Sequence, residues 1–147
     1  MKEKKLKNIF SSGAIPAHFI ADSIQKQQAN TAIGAHSIFL GQVRADQLGD
    51  AQVTGINYTA YEEMALLKME EIREDVFKKY ALTCMHVYHS LGLVAAGDVC
   101  LFVFTASAHR KAAMEACDEL VERIKAELPI WGKEILTNES HQWKENK

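Results

Sequence analysis

Apolar residues recur with helical spacing in two long segments of the chain. In residues 61–80 they follow one another at intervals of four, three and four positions, and glutamates occupy the opposite side. Residues 109–128 show a similar stripe, and Pro129 ends this second helix. A weaker stripe in residues 16–28 predicts a shorter N-terminal helix. The positions expected to be buried are Ala65, Met69, Ile72 and Val76 in the first long helix and Ala113, Cys117, Leu120, Val121, Ile124 and Leu128 in the second.

The segments between these helices have the patterns of β-strands. Residues 99–104 are apolar at every position, which predicts a central strand covered on both faces. Residues 31–43 and 52–60 are expected to be strands that pair with each other, with a mobile loop at residues 44–50 between them. The other predicted strands are residues 7–11, 82–91, 98–106 and 130–136.

The predicted elements alternate irregularly between strands and helices. Their order favours an α+β fold with a mostly antiparallel sheet, two long helices and the shorter N-terminal one, and it excludes a doubly wound sheet. The chain contains only two prolines and has no low-complexity linker. We therefore expect residues 1–147 to form a single domain.

The charge balance restricts the classes of ligand. The chain is 48% hydrophobic with a formal net charge of -2, so no domain-wide basic field exists to attract a nucleic acid. Any anion site must be local. Of the three cysteines, Cys100 and Cys117 fall in apolar segments, which is typical of buried thiols in a reducing cytosol. Because the basic N-terminal segment has no apolar core, and the longest apolar run is too short to cross a bilayer, we expect a cytoplasmic location.

A candidate anion site lies at the start of the second long helix. His109 and Arg110 follow a strand, with Ser107 as the expected N-cap. A helix N-terminus offers free N–H groups, and Arg adds a bidentate fork for phosphate or carboxylate. The helical arithmetic puts Arg110 and Lys125 away from the face that carries the glutamates. The alternative is an ordinary cap with a surface ion pair.

Lysines on the two sides of a Pro-Ile-Trp turn are candidates for catalysis. Lys125 precedes this turn and Lys133 follows it. A lysine held beside apolar surface and other cations can have a lowered pKa, which makes it a nucleophile or an acid–base group. Arg44 opens the predicted mobile loop, where binding residues are common. Solvent-exposed side chains without function are the competing interpretation for all three.

The two histidines of the fourth predicted strand do not suggest a metal site. His86 and His89 are three positions apart, so on a strand their side chains point to opposite faces. We therefore expect neither a metal nor another cofactor. The residues by themselves favour an anion-binding enzyme or binding module with a catalytic lysine.

Several of these segments together resemble the large, catalytic subunit of molybdopterin synthase. The resemblance extends over about residues 34–143. The motifs that it rests on are FLGQVR, INYTAYEEMA, HSLGLVAAGD, SAHR, RIKAELPIWGKE and a Trp near the C-terminus. This resemblance implies an α/β hammerhead-like fold with an added antiparallel sheet.

The resemblance also implies an activity and partners. Members of this family form a central homodimer with a small ubiquitin-like sulfur-carrier subunit at each end, which makes a heterotetramer. The thiocarboxylated C-terminus of the carrier enters a pocket of the large subunit, and sulfur passes twice to cyclic pyranopterin monophosphate to form the dithiolene of molybdopterin. The chain would thus be a sulfurtransferase of molybdenum cofactor biosynthesis.

Residue roles follow from the matched motifs. Lys125 corresponds to the essential lysine of the family, and Lys133 is the candidate for a second one because Gly132 occupies the position where members usually have a lysine. The substrate-binding residues that the resemblance implies are Gln42, Val43, Arg44, His109, Arg110, Gly132 and Glu134.

Two other functions remain open at this stage. The glycine at position 132 is also compatible with a non-catalytic module that binds a sulfur-carrier protein or a phosphorylated ligand. An unrelated small-molecule transferase that uses Lys125 is the third possibility.

Overall fold

The fold is known from a computed structural model that describes residues 6–138 and 140–144. It contains three helices and a mostly antiparallel sheet, so the predicted α+β class is confirmed. Two short strands, Gln47–Leu48 and His141–Trp143, were not predicted. The elements are β1 (Phe10–Ser12), α1 (Ala17–Gln28), β2 (Ala35–Gln42), β3 (Gln47–Leu48), β4 (Ala51–Ala60), α2 (Glu62–Lys79), β5 (Leu82–Ala95), β6 (Val99–Ser107), α3 (Arg110–Glu127), β7 (Ile130–Leu136) and β8 (His141–Trp143).

The strand order of the sheet is β2-β6-β5-β4-β7-β8, with β1 beside β5 and β3 beside β4. The predicted pairing of the strands that flank residues 44–50 is wrong. Strand β2 pairs with β6, where Ile38 lies opposite Phe104, while β4 pairs with β5 and β7. The apolar strand β6 needs a neighbour on each edge to satisfy its backbone, and β2 provides the second one. Residues 44–50 therefore connect two distant parts of the sheet.

Strand β5 is longer than predicted and changes partners along its length. Its first part, through His89, pairs with β6, and its last part, from Gly92 to Ala95, pairs with β4. Gly92 has a φ of +83° between these parts, a conformation that glycine adopts without steric cost. The sheet therefore has two portions that share β5, and they diverge next to His89.

Both faces of β6 are buried, as the sequence predicted. Phe102 and Phe104 face α1, and Leu101 and Val103 face the pair α2 and α3. The positions predicted to be buried in α2 and α3 are all buried, with Ala116 in addition. The helices and the strands thus bury their apolar side chains together, although the spacing of buried residues along the chain differs between the two kinds of element.

Side-chain contacts join α3 to α2. Lys79 donates a hydrogen bond of 2.6 Å to Glu119, and Arg123 donates one of 3.0 Å to Asp75. The hydrogen bond from Lys79 lowers the pKa of Glu119 below its usual range. Since one partner of each contact, Lys79 or Asp75, is more than half exposed, the contacts add little stability, and the apolar stripe holds α3 on the sheet.

The cysteine prediction is confirmed for Cys100 and Cys117, which are buried free thiols. Burial is the main cause that raises the pKa of the Cys117 thiol. Among residues 6–138 and 140–144, no helix has the length and apolar character that crossing a bilayer requires.

We predict that Leu120→Ala lowers the free energy of unfolding by about 2–5 kcal/mol, because Leu120 is fully buried between α3 and the sheet. Urea denaturation followed by circular dichroism measures the change. Leu67→Ala is the matched control, since Leu67 is 57% exposed on α2 and its loss should cost less than about 0.5 kcal/mol. Equal effects of the two substitutions would contradict the assigned core.

Candidate functional site

A cavity of about 620 Å³ lies where the two portions of the sheet diverge. It is bounded by the end of β2, the last turn of α3, the inner faces of β4 and β7, and the segment around β8. Five of the nine site residues predicted from the sequence line it. These are Gln42, Val43, Arg44, Lys125 and Glu134.

The backbone of Val43 orients the end of β2. Val43 is buried, its N–H donates to the Asp98 carbonyl at 3.0 Å, and its own carbonyl accepts from Gly97 N–H at 2.8 Å. These bonds anchor the strand end to the β5–β6 turn, and Arg44 extends outward from there. The Arg44 side chain is 76% exposed and lies 3.4 Å from Asp46. It is available to an incoming anion because a surface ion pair of this kind is weak.

Lys125 reaches the cavity from the last turn of α3. The adjacent Ile124 and Leu128 are buried and line the same cavity, so they fix the position of the helix end. The carbonyl of Pro129 accepts a hydrogen bond of 3.1 Å from Tyr61 N–H, which ties this helix end to the start of α2. Lys125 itself is exposed. It lies at the flank of the apolar stripe of α3, as expected from the rotation of about 100° per residue in a helix.

His89 is the ionisable residue that β5 contributes to the described cavity wall. It is 8% exposed, and its Nδ1 donates to the Ser90 carbonyl at 2.8 Å. Burial lowers the pKa of His89, and the charge of Lys125 lowers it further. The imidazole is therefore neutral at physiological pH.

Tyr58 packs edge-on against His89, with 5.1 Å between the ring centroids. Burial raises the pKa of Tyr58, and a hydrogen bond with Cys100 and the charge of Glu134 raise it further. The phenol consequently stays protonated and contributes a neutral hydroxyl to the cavity wall.

The side chains of β7 alternate between the cavity and the opposite face. Glu134 is buried, lines the cavity and accepts a hydrogen bond of 3.4 Å from Gln142. Lys133 pairs with Asn57 on one side and Trp143 on the other, and it is not among the described residues that line the cavity. Its side chain points away from that of Glu134 because successive residues of a strand face opposite sides.

Gly132 lies beneath the ring of Tyr58. A Cβ added at this position would approach Ile56 Cγ2 to 2.9 Å and Tyr58 Cε1 to 3.1 Å. Both neighbours line the cavity, so a side chain at position 132 would enter the space that the Tyr58 ring now fills.

His109 and Arg110 lie at the opposite end of α3. Fifteen residues separate Arg110 from Lys125, which corresponds to about 22 Å along the helix axis. Both His109 and Arg110 are exposed, and neither is among the described residues that line the cavity. The expectation that Arg110 lies off the solvated face is therefore wrong, because the apolar stripe begins only at Ala113.

The predicted N-cap of α3 is also wrong. The helix begins after His109, which makes no side-chain capping bond. Ser107 is the last residue of β6, and its hydroxyl donates to the Ala81 carbonyl at 2.7 Å. That bond orients the Ser107 oxygen toward the strand, and the contact from His109 N–H is long, at 3.5 Å.

Sequence reasoning missed several cavity residues. The alternation along β4 puts Ile56 and Tyr58 on one face, which could have identified Tyr58 once the inner face was known. No local pattern singles out His89 or the segment after β7. The missed polar or aromatic residues are Phe39, Asp46, Tyr58, His89, Cys100, Gln142, Trp143 and Lys144.

The cavity combines cations with hydrogen-bond acceptors. Arg44, Lys125 and Lys144 supply positive charge, and Glu134 and the neutral His89 supply acceptors. The described residues contain no group of three His, Cys, Asp or Glu side chains arranged to hold a metal ion. Such a cavity suits a ligand that has both anionic groups and N–H donors.

Comparison with known proteins relates the chain to molybdenum cofactor biosynthesis. A family model described as MoaE protein matches residues 15–127. The molybdopterin synthase catalytic subunit of Pyrococcus abyssi is 33% identical over 115 residues, which are 78% of this chain and 76% of that protein.

Solved structures share the fold. Molybdopterin synthase from Staphylococcus aureus superimposes with a TM-score of 0.81 at 28% identity, over 97% of this chain and all of that chain. A complex of subunits 1 and 2 of molybdopterin-converting factor from Helicobacter pylori gives a TM-score of 0.76 at 20% identity, over 95% of this chain and 92% of that chain. At this lower identity the second likeness concerns the fold alone.

We predict that Gly132→Ala destabilises the protein by about 1–3 kcal/mol, since the new methyl group overlaps Ile56 and the Tyr58 ring. Thermal and urea unfolding measure the loss. Gly41→Ala is the comparison variant, because its added Cβ comes no closer than 3.2 Å to another atom and should cost less. A Gly132→Ala protein as stable as the unaltered chain would contradict the expected overlap with Ile56 and the Tyr58 ring.

Proposed function

The chain belongs to the family described as MoaE protein, and on this premise we propose that it is the catalytic subunit of a molybdopterin synthase. In the reaction we propose, sulfur passes from the thiocarboxylated C-terminus of a small carrier subunit to cyclic pyranopterin monophosphate. The observation that best supports this proposal is that Lys125, Arg44 and buried hydrogen-bond acceptors line the same cavity.

Both proposed reactants carry negative charge where they meet. The substrate has a cyclic phosphate, and the carrier tail ends in a thiocarboxylate. Arg44, Lys125 and Lys144 line one cavity and can attract both groups, while Asp46 and Glu134 keep the local charge balanced. Holding two reactants in register makes the encounter effectively unimolecular, and fixed cations stabilise charge that develops during transfer.

Lys125 is the residue that we assign to the carrier tail. Its position between Ile124 and Leu128 allows the ammonium group to approach the thiocarboxylate while the aliphatic stem stays against apolar surface. There it polarises the carbonyl group of the tail or donates a proton to the departing sulfur, while water attacks the carbonyl carbon and leaves the tail as a carboxylate. Either role requires the amine, so both predict the same result when it is removed.

We assign His109 and Arg110 to the cavity of a second copy of the chain. Arg110 and Lys125 of the same chain lie about 22 Å apart along α3, which is too far for one small substrate to contact both. A homodimer removes this conflict if each copy supplies its helix start to the cavity of the other. Strand β2 has only β6 as a described neighbour and exposes Ile38 and Leu40, which are 39% and 44% accessible. An edge strand with exposed apolar side chains suits such an interface.

A non-catalytic binding module is the second candidate. It is favoured by Gly132, which has no side chain to offer, and by Lys133, which lies off the described cavity lining. Tight binding of the carrier without dithiolene formation by the unaltered protein would support this alternative and contradict the first.

We predict that Lys125→Ala abolishes dithiolene formation, with a loss of at least about 100-fold, because the cavity loses the cation that contacts the tail. The assay mixes the protein with thiocarboxylated carrier and cyclic pyranopterin monophosphate and measures molybdopterin. Lys111→Ala is the matched control on the same helix, since Lys111 is 84% exposed and only approaches Glu115. Retained turnover in Lys125→Ala would contradict the assignment.

We further predict that inactive Lys125→Ala and Arg110→Ala chains restore activity to each other when they are unfolded together and refolded as a mixture. In a mixed dimer one cavity has both changes and the other has neither, so an equal mixture should recover about a quarter of the unaltered activity. The molybdopterin assay measures the recovery. If both residues act within one chain, mixing restores nothing, and sedimentation of the mixture then shows whether dimers formed.

A further inference from the structure

One ring nitrogen of His89 has no hydrogen-bond partner among the described residues. Nδ1 is bonded to the Ser90 carbonyl, and no described residue hydrogen-bonds to Nε2. Nor is Nε2 among the fully buried polar atoms that lack a partner, which in the described part of the chain are Arg73 Nε and Ser90 Oγ. Because His89 lines the cavity, Nε2 must be accessible from it.

The bond to Ser90 determines what Nε2 can do. A carbonyl oxygen only accepts, so Nδ1 carries the hydrogen and neutral His89 has its lone pair on Nε2. The edge-on contact with Tyr58 and the enclosing strands hold the ring in place. Nε2 is therefore an acceptor with a fixed direction.

The polar groups of the cavity differ in what they can bind. Arg44, Lys125 and Lys144 attract an anion, whereas the His89 lone pair and the Glu134 carboxylate repel one. Glu134 and Tyr58 belong to paired strands and Tyr58 contacts His89, so the two acceptors lie on the same wall. An N–H donor is the group that this wall can hold.

We propose that His89 Nε2 accepts a hydrogen bond from an N–H group on the heterocyclic ring of the substrate and thereby sets which way the ring enters the cavity. This inference rests on the proposed function, because a pterin ring has an amino group and ring N–H groups at one edge and the phosphate at the other. The cations then take the phosphate, and His89, with Glu134 beside it, takes the amino edge.

The protonation state of His89 agrees with this role. Burial and the charge of Lys125 lower the pKa of His89 below its ordinary value of 6.5, so Nε2 is unprotonated at pH 7. Below that lowered pKa the ring becomes a donor at both nitrogens and cannot accept. The other ionisable groups lining the cavity are Arg44 and Asp46 after β2, Tyr58 on β4, Cys100 on β6, Lys125 on α3, Glu134 on β7 and Lys144 after β8.

Two variants of His89 test the inference. His89→Phe keeps a planar ring against Tyr58 and removes the acceptor, and His89→Gln keeps an acceptor oxygen that does not titrate. The dissociation constant of cyclic pyranopterin monophosphate is measured under anaerobic conditions at pH 7.5.

At pH 7.5 we expect His89→Phe to bind the substrate about tenfold more weakly than the unaltered protein, and His89→Gln to bind within about threefold of it. Competition by inorganic phosphate should be the same in all three proteins, because phosphate binds the cations.

Other outcomes overturn the inference. Equal affinities of the unaltered protein and His89→Phe mean that Nε2 contacts no donor. A loss in His89→Phe that His89→Gln shares in full indicates a structural role only. If His89→Phe fails to fold, His89→Leu, which also lacks an acceptor, takes its place in the comparison. Absence of any binding by the unaltered protein would instead reject the proposed substrate itself.

Discussion

Burial of β6 on both faces is the constraint that organises this protein. An apolar strand of this kind needs a partner on each edge and a helical layer on each side. Strands β2 and β5 pair with the two edges of β6, α1 covers one of its faces, and α2 and α3 cover the other. Once α3 is fixed on the sheet through its apolar stripe, the positions of the residues at both of its ends are determined.

The cavity is a consequence of how β5 is shared. Since one part of β5 pairs with β6 and the next part with β4, the two portions of the sheet diverge and leave space beside His89. The end of β2, the last turn of α3 and the segment around β8 close this space from three sides. Its walls come from distant parts of the chain. Cations from some segments and buried hydrogen-bond acceptors from others therefore line the same space.

The helix α3 separates two groups of cations that the sequence had suggested as one site. Lys125 lies at the cavity, and Arg110 lies at the opposite end of the same helix. The dimer that we propose, in which each copy completes the cavity of the other, would reconcile this separation with a single small substrate. The exposure of His109 and Arg110 agrees with that proposal, because groups that act on another chain must be accessible.

Much of the fold followed from sequence periodicity. The residues buried in α2 and α3 and the double burial of β6 were predictable because side-chain direction within one element depends only on local geometry. Of the five predicted site residues that share the cavity, four stand at or near the ends of well-patterned elements, and Glu134 lies within β7. Gly132 and Lys133 could be placed on opposite faces of β7 by the same alternation.

What the sequence by itself determined is therefore most of the elements, their buried faces and the position of Lys125 beside the buried stripe of α3. Only the tertiary structure decided the strand partners, the course of β5, the distance between Arg110 and Lys125, and the gathering of Tyr58 and His89 at the cavity. The reason is that these features depend on which distant segments meet. Pairing and enclosure are set by the competition of all strands and helices for one core, and no local pattern records the outcome of that competition.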